Sequence, residues 1–151
     1  MLDNIFINNY LKIVPNFKGV FSSNEISNLD LKPNCCIIVN FSNNNEKGSH
    51  FIVIFNKNNT MIYFDPLNIK KQFIPKNIKK YLKNSHRKIK YLNCNIQSFN
   101  STYCGFFCIG FILHMYNTNK ENSFKKLFNI KDLIKNDGII IQIIIHYVKN
   151  K

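Results

Sequence analysis

Residues 97–116 read Q-S-F-N-S-T-Y-C-G-F-F-C-I-G-F-I-L-H-M-Y. A polar loop runs into Cys104, and the apolar stretch from Cys104 to Tyr116 is too long for a typical strand. It predicts a mostly buried helix, in spite of Gly105 and Gly110. Upstream lie three β-rich runs: Cys35 to Phe41 (C-C-I-I-V-N-F), His50 to Phe55 (H-F-I-V-I-F) and Met61 to Phe64 (M-I-Y-F). N-N-N-E-K-G and N-K-N-N separate them as turn punctuation of the hairpin kind. Their near-continuous apolarity predicts a sheet covered on both faces.

Further outward, Ile5, Tyr10, Leu11 and Ile13 near helical spacing predict an N-terminal helix ending before Pro15. Pro75 opens a second helix that takes in Ile78, Tyr81 and Leu82 and carries lysines on its other face. Ile89 to Cys94 reads as another strand. Amphipathic pieces follow over about 123–135 and 138–149. The last, G-I-I-I-Q-I-I-I-H-Y-V, is ambiguous between strand and helix because β-branched residues favour the strand. Together these predict one α+β domain over 1–151, with a central mixed or antiparallel sheet flanked by helices.

At 151 residues, with 45% apolar and 19% charged residues, the chain can bury one core and is not a disordered tail. No apolar run reaches the roughly 18 residues that span a bilayer. The M-L-D-N-I-F-I-N-N-Y start lacks the pattern of a signal peptide, so neither secretion nor a membrane partner is expected. Five cysteines (Cys35, Cys36, Cys94, Cys104, Cys108) and no C-x-x-C pair argue for reduced thiols and against structural zinc. No metal site is expected.

The formal charge is +13, from 21 Lys+Arg against 8 Asp+Glu. Part of this follows from composition: Lys, Asn, Ile, Phe and Tyr all have AT-rich codons, and Arg87 is the one arginine. Its distribution carries more weight. No acidic residue lies between Asp65 and Glu121, while Lys70, Lys71, Lys76, Lys79, Lys80, Lys83, Arg87, Lys88 and Lys90 crowd one segment. Such a segment attracts polyanions.

The chemistry-bearing candidates begin with Cys104. A thiol at a helix N-terminus sits at the positive end of the macrodipole, which favours thiolate. Taken alone, a cysteine opening an apolar helix is an ordinary core residue. His50 begins one strand and Asp65 ends the next, so antiparallel pairing makes them neighbours, with the carboxylate able to hold the imidazole. Singly, each is an unremarkable turn residue. Gln97, seven residues before Cys104, could donate to an oxyanion alongside the Cys104 N–H; alone it is a loop glutamine. His114 reads as a satisfied core histidine, His86 and His146 as surface residues, and Cys108 as packing. Cys35 and Cys36 should face opposite sides of a buried strand.

The order His50, Asp65, Gln97, Cys104, in G-S-H-F-I-V-I-F, M-I-Y-F-D-P-L-N and Q-S-F-N-S-T-Y-C-G-F-F-C, resembles the adenovirus protease (adenain) family. Its relatives process SUMO and other ubiquitin-like proteins. F-K-G-V-F-S-S-N-E-I and C-C-I-I-V-N-F add to the resemblance, which covers about 10 to 118. It implies an adenain-like cysteine protease fold with the nucleophile at the N-terminus of a buried central helix. Cys104 would be the nucleophile, His50 the general base and acid, Asp65 its orienter and Gln97 an oxyanion donor.

The resemblance further implies a viral thiol endopeptidase that matures capsid or core precursor proteins at glycine-containing sites. It would work in the virion and in the cytoplasm or nucleus of the infected cell. No cofactor is required for the chemistry, but DNA is implied as an activator, with Lys70, Lys71, Lys79, Lys80, Lys83, Arg87 and Lys88 as contacts. The chain departs from the pattern in having Phe51 where the family usually has Trp. Its acid is Asp65, as in the SUMO branch, and Cys94 is too close to Gln97 to match the cysteine that links an activating peptide. The competing readings are a SUMO or ubiquitin-like-protein protease, and a non-enzymatic basic nucleic-acid-binding domain.

Overall fold

The computed structural model describes residues 3–45 and 49–150. Five strands form one sheet whose spatial order is also chain order: β1 (Phe17–Ser22), β2 (Cys36–Asn40), β3 (Phe51–Lys57), β4 (Thr60–Phe64) and β5 (Lys88–Tyr91). The outer pairs β1–β2 and β4–β5 are parallel, and the inner pairs are antiparallel. The helices are α1 (Asn4–Leu11), α2 (Lys76–Asn84), α3 (Cys104–Thr118), α4 (Glu121–Phe124) and α5 (Asn136–Lys149). This is an α+β architecture with a mixed sheet flanked by helices.

Apolarity on both sides of the central strands has a direct cause. Cys36, Ile38, Phe51, Val53, Ile62 and Phe64 enter a core shared with α1, α3 and α5. Cys35, Ile37, Val39, Ile52, Ile54, Met61 and Tyr63 enter a second core closed by Ile78, Tyr81 and Leu82 of α2. A strand sandwiched in this way has no face left for polar residues. Cys35 and Cys36 do fall on opposite faces.

The β3–β4 hairpin fixes the register on which the candidate site depends. Lys57 pairs with Thr60, and the two residues between them, Asn58 and Asn59, have φ of 50° and 67°. Asparagine tolerates this left-handed region, which a two-residue hairpin turn of matching twist requires. The Asn59 N–H donates to Asn56 Oδ1 at 2.9 Å and closes the turn.

Helix α3 is buried almost throughout. Phe111 stacks on Phe64 of β4, with ring centroids 4.3 Å apart, and Phe124 of α4 meets both rings edge-on. At Gly110 the Ile140 side chain of α5 sits so close to the α3 backbone that a Cβ would collide with it.

Two sequence expectations need correction, one strand was not expected, and one ambiguity is resolved. Strand β1 is missing from the sequence reading. Its Gly19 has φ 131° and the register shifts between Phe17 and Val20, so no period-2 pattern survives. The strand expected over Ile89 to Cys94 is instead β5, Lys88–Tyr91. The piece expected over 123–135 is broken into α4, a 3-10 turn at Lys125–Leu127 and another at Leu133–Lys135. Between them Asn129 Oδ1 accepts the Lys131 and Asp132 N–H groups, offering the backbone an alternative to helix. The ambiguous last segment is helix α5, because the fully apolar i, i+4 pair Ile140 and Ile144 fits against α3.

Candidate active site

His50 immediately precedes β3 and Asp65 immediately follows β4. With Val53 opposite Phe64, both fall at one end of the sheet. His50 Nε2 and Asp65 Oδ1 lie 2.7 Å apart, and both side chains are buried. The carboxylate is held from its own turn: Oδ1 also accepts the Leu67 N–H at 2.8 Å, and Oδ2 accepts the Ile69 N–H at 3.0 Å. The imidazole is held from the other side. Phe41 meets it edge-on at 5.0 Å, and the Phe41 N–H donates to the His50 carbonyl at 2.9 Å.

Cys104 is the first residue of α3 and only 2% exposed. Its side chain is near enough to the His50 imidazole to raise that ring's pKa. Since Nε2 is committed to Asp65, Nδ1 is the ring nitrogen left for sulfur. Burial by itself lowers the His50 pKa. The hydrogen bond to Asp65, the Cys104 side chain and the charges of both outweigh it and raise the pKa to about 9. At neutral pH the ring therefore keeps its second proton, with a partner on each nitrogen.

Gln97 is 1% exposed and anchored to the loop leading into α3. Its Nε2 donates to the Ser101 carbonyl at 3.0 Å, while Oε1 is buried with no hydrogen-bond partner among the described residues. An orphaned buried acceptor is uncommon in folded proteins and costs on the order of 1–3 kcal/mol. The N–H groups of Ile96 and Gln97 both donate to the Pro66 carbonyl at 3.0 Å. One carbonyl thus ties the Gln97 loop to the turn that carries Asp65.

Ser101, Asn136 and Asp137 belong to this site region and escape a reading of the sequence. Ser101 Oγ donates to Asp137 Oδ1 at 2.8 Å and accepts the Tyr103 N–H at 3.1 Å. Asn136, fully buried, donates to the Ile96 and Asn129 carbonyls, each at 2.8 Å. Asp137 preceding Gly138 and an apolar run signals a helix start, but nothing in the sequence says which loop that start would touch.

The other thiols are of a different kind. All five cysteines are free and buried, and burial pushes Cys36, Cys94 and Cys108 upward, Cys94 to about 12. His114 is a buried, satisfied histidine, with Nδ1 2.7 Å from the Tyr147 hydroxyl and Nε2 2.8 Å from Ser123 Oγ. His86 and His146 are exposed.

Lys79, Lys80 and Lys83 lie on α2, which covers the sheet face opposite α3; Lys70 and Lys71 precede that helix, Arg87 follows it, and Lys88 opens β5. Lys71 Nζ sits 4.2 Å over the Tyr91 ring, and Arg87 reaches Asp30 at 3.9 Å. The structure therefore brings Cys104, His50 and Asp65 together and ties Gln97 to them through the backbone; of the basic cluster, Lys70 and Lys71 line a pocket with Asp65, while Lys79, Lys80 and Lys83 lie on α2.

Among the described residues, no group of three or more His, Cys, Asp or Glu is placed to hold a metal ion. No described helix is long and apolar enough to cross a membrane. The chain matches no family model and no curated protein sequence.

Proposed function

We propose that this chain is a thiol endopeptidase using Cys104, His50 and Asp65, with Gln97 as oxyanion donor. The observation that carries the reading is the buried chain of contacts Asp65–His50–Cys104, ending at the first residue of a buried helix. An imidazolium facing a sulfur is the partner that a thiolate nucleophile needs. In the reaction the Cys104 sulfur attacks a peptide carbonyl, and the C–N bond breaks as His50 delivers its proton to the leaving amine. The resulting thioester is hydrolysed by water, which gives up a proton to His50, and the acid product and the Cys104 thiolate are released. Asp65 keeps the ring oriented throughout. The Cys104 N–H and the second N–H of the Gln97 amide are the donors for the tetrahedral oxyanion.

The substrate class rests on the sequence resemblance: capsid or core precursor proteins of a virus, cut at glycine-containing sites during maturation in the virion or the infected cell. DNA is the proposed activator, bound along α2 through Lys79, Lys80 and Lys83. The test is hydrolysis of a library of glycine-containing peptides by wild type and Cys104→Ala, each with and without duplex DNA. Cleavage by wild type alone, stimulated by DNA, is the expected result. Equal silence from both proteins, with Cys104 of wild type unreactive toward iodoacetamide at neutral pH, would overturn the reading. Reaction of Cys104 with a ubiquitin-like electrophilic probe in place of peptide cleavage would redirect it to deconjugation.

A further inference from the structure

We propose that Asp137 is a positioning residue for the oxyanion donor, so that the start of α5 belongs to the catalytic apparatus; this rests on the protease reading above. The loop between Gln97 and Cys104 has no regular secondary structure, yet an oxyanion site needs its donors fixed to a fraction of an ångström. Two anchors supply that rigidity. One is the Pro66 carbonyl, which accepts the Ile96 and Gln97 N–H groups. The other is α5.

Asp137, in the first turn of α5, accepts from Ser101 Oγ at 2.8 Å across 36 residues of chain. That hydroxyl accepts the Tyr103 N–H one residue before Cys104. The Ser101 carbonyl accepts the Gln97 amide at 3.0 Å. Ser101 is therefore a junction: its side chain is fixed by Asp137, and its main chain fixes the amide that would meet the oxyanion. Next to it, Asn136 holds the Ile96 carbonyl at 2.8 Å. Asp137 touches neither Cys104 nor His50 in this network, so its influence passes through Ser101 and Gln97.

The experiment compares Asp137→Ala, Asp137→Asn, Gln97→Ala and the double variant Asp137→Ala/Gln97→Ala. The readouts are kcat and KM on a cleaved peptide, together with the rate of Cys104 alkylation by iodoacetamide. Alkylation displaces iodide from an sp3 carbon and forms no oxyanion, so it reports the thiol and its histidine alone. Asp137→Ala should lower kcat about tenfold with KM nearly unchanged, and leave alkylation within about twofold. Asp137→Asn keeps an acceptor for the Ser101 hydroxyl and should recover most of the loss. In the Gln97→Ala background Asp137→Ala should add little, because the group it positions is already gone.

A full tenfold loss in both backgrounds, or an equal loss of alkylation, would overturn the proposal and make Asp137 a structural residue. Circular dichroism confirms that each variant is folded; Ser101→Ala, which removes the same hydrogen bond from the other side, should copy Asp137→Ala, and full activity in it would also overturn the proposal. If wild type neither cleaves nor is alkylated at Cys104, the protease reading itself has failed, and the positioning role falls with it.

Discussion

Helices α2 and α3 cover opposite faces of one sheet and are built on opposite terms. Helix α2 buries Ile78, Tyr81 and Leu82 and turns its lysines outward. Helix α3 is buried from Cys104 to Met115 with little interruption, because the sheet lies on one side and α1, α4 and α5 close the others. An amphipathic helix is held by one stripe and can change its outer face freely. A helix enclosed on all sides takes its position from everything around it, and so does a side chain at its first residue. The difference predicts where substitutions are felt.

The largest effect is expected at the α3 end of the sheet, from Asp65→Asn. The amide cannot hold the imidazole as the carboxylate does at 2.7 Å, and turnover should fall by about 10³ or more, measured as kcat on a cleaved peptide. An unchanged kcat would detach His50–Asp65 from the chemistry and reduce it to a structural pair.

Next comes Gly110→Ala. The added methyl meets Ile140 of α5. Overpacking costs about 1–3 kcal/mol, of which the better helix propensity of alanine returns up to about 1 kcal/mol. A net loss of about 1–2 kcal/mol in urea unfolding is expected. No loss would mean that α3 and α5 are less tightly engaged than the contact implies.

The His50 ring adds a pH dependence of the same order. Its folded pKa of about 9 exceeds the unfolded value near 6.5, so the stabilisation is complete below about 6.5 and is lost as pH rises through about 9. The unfolding free energy should fall between pH 6.5 and 9.5 by on the order of 2 kcal/mol, measured by urea unfolding, and Asp65→Asn should flatten the slope. A slope unchanged in Asp65→Asn would place its origin in other groups.

The smallest stability effect is expected on α2. Replacing Lys79, Lys80 and Lys83 together by Gln should change stability by less than about 0.5 kcal/mol. The same variant should weaken DNA binding and reduce the salt slope by up to about 3. Peptide cleavage without DNA should be unaffected. A stability loss as large as that of Gly110→Ala would erase the distinction between the two helices.

How much of this was legible in the sequence follows the same division. The His50–Asp65 neighbourhood could be read because it is set by one hairpin, whose N-K-N-N turn and flanking apolar runs are local signals. Helix α3 could be read from its length and α2 from its single apolar stripe. Strand β1 could not, since Gly19 breaks the alternation that marks a strand. Nor could the helical state of α5, because isoleucine's β-branching argues against helix until α3 is there to receive Ile140 and Ile144. The Ser101–Asp137 hydrogen bond is the extreme case: both residues are ordinary in their own segments, and only the α3–α5 packing brings them together.

The close approach at Gly110 has a consequence for the order of events on the ribosome. Every reactive side chain of the site, through Cys104, precedes α5 in the chain. A nascent chain exposed that far holds Cys104, His50 and Asp65, but not the helix that backs α3 and anchors the Gln97 loop. Synthesis runs from the N-terminus, and a partial domain cannot complete a core whose last layer is still in the tunnel. Helix α3 is therefore enclosed on all sides only once α5 has docked against it.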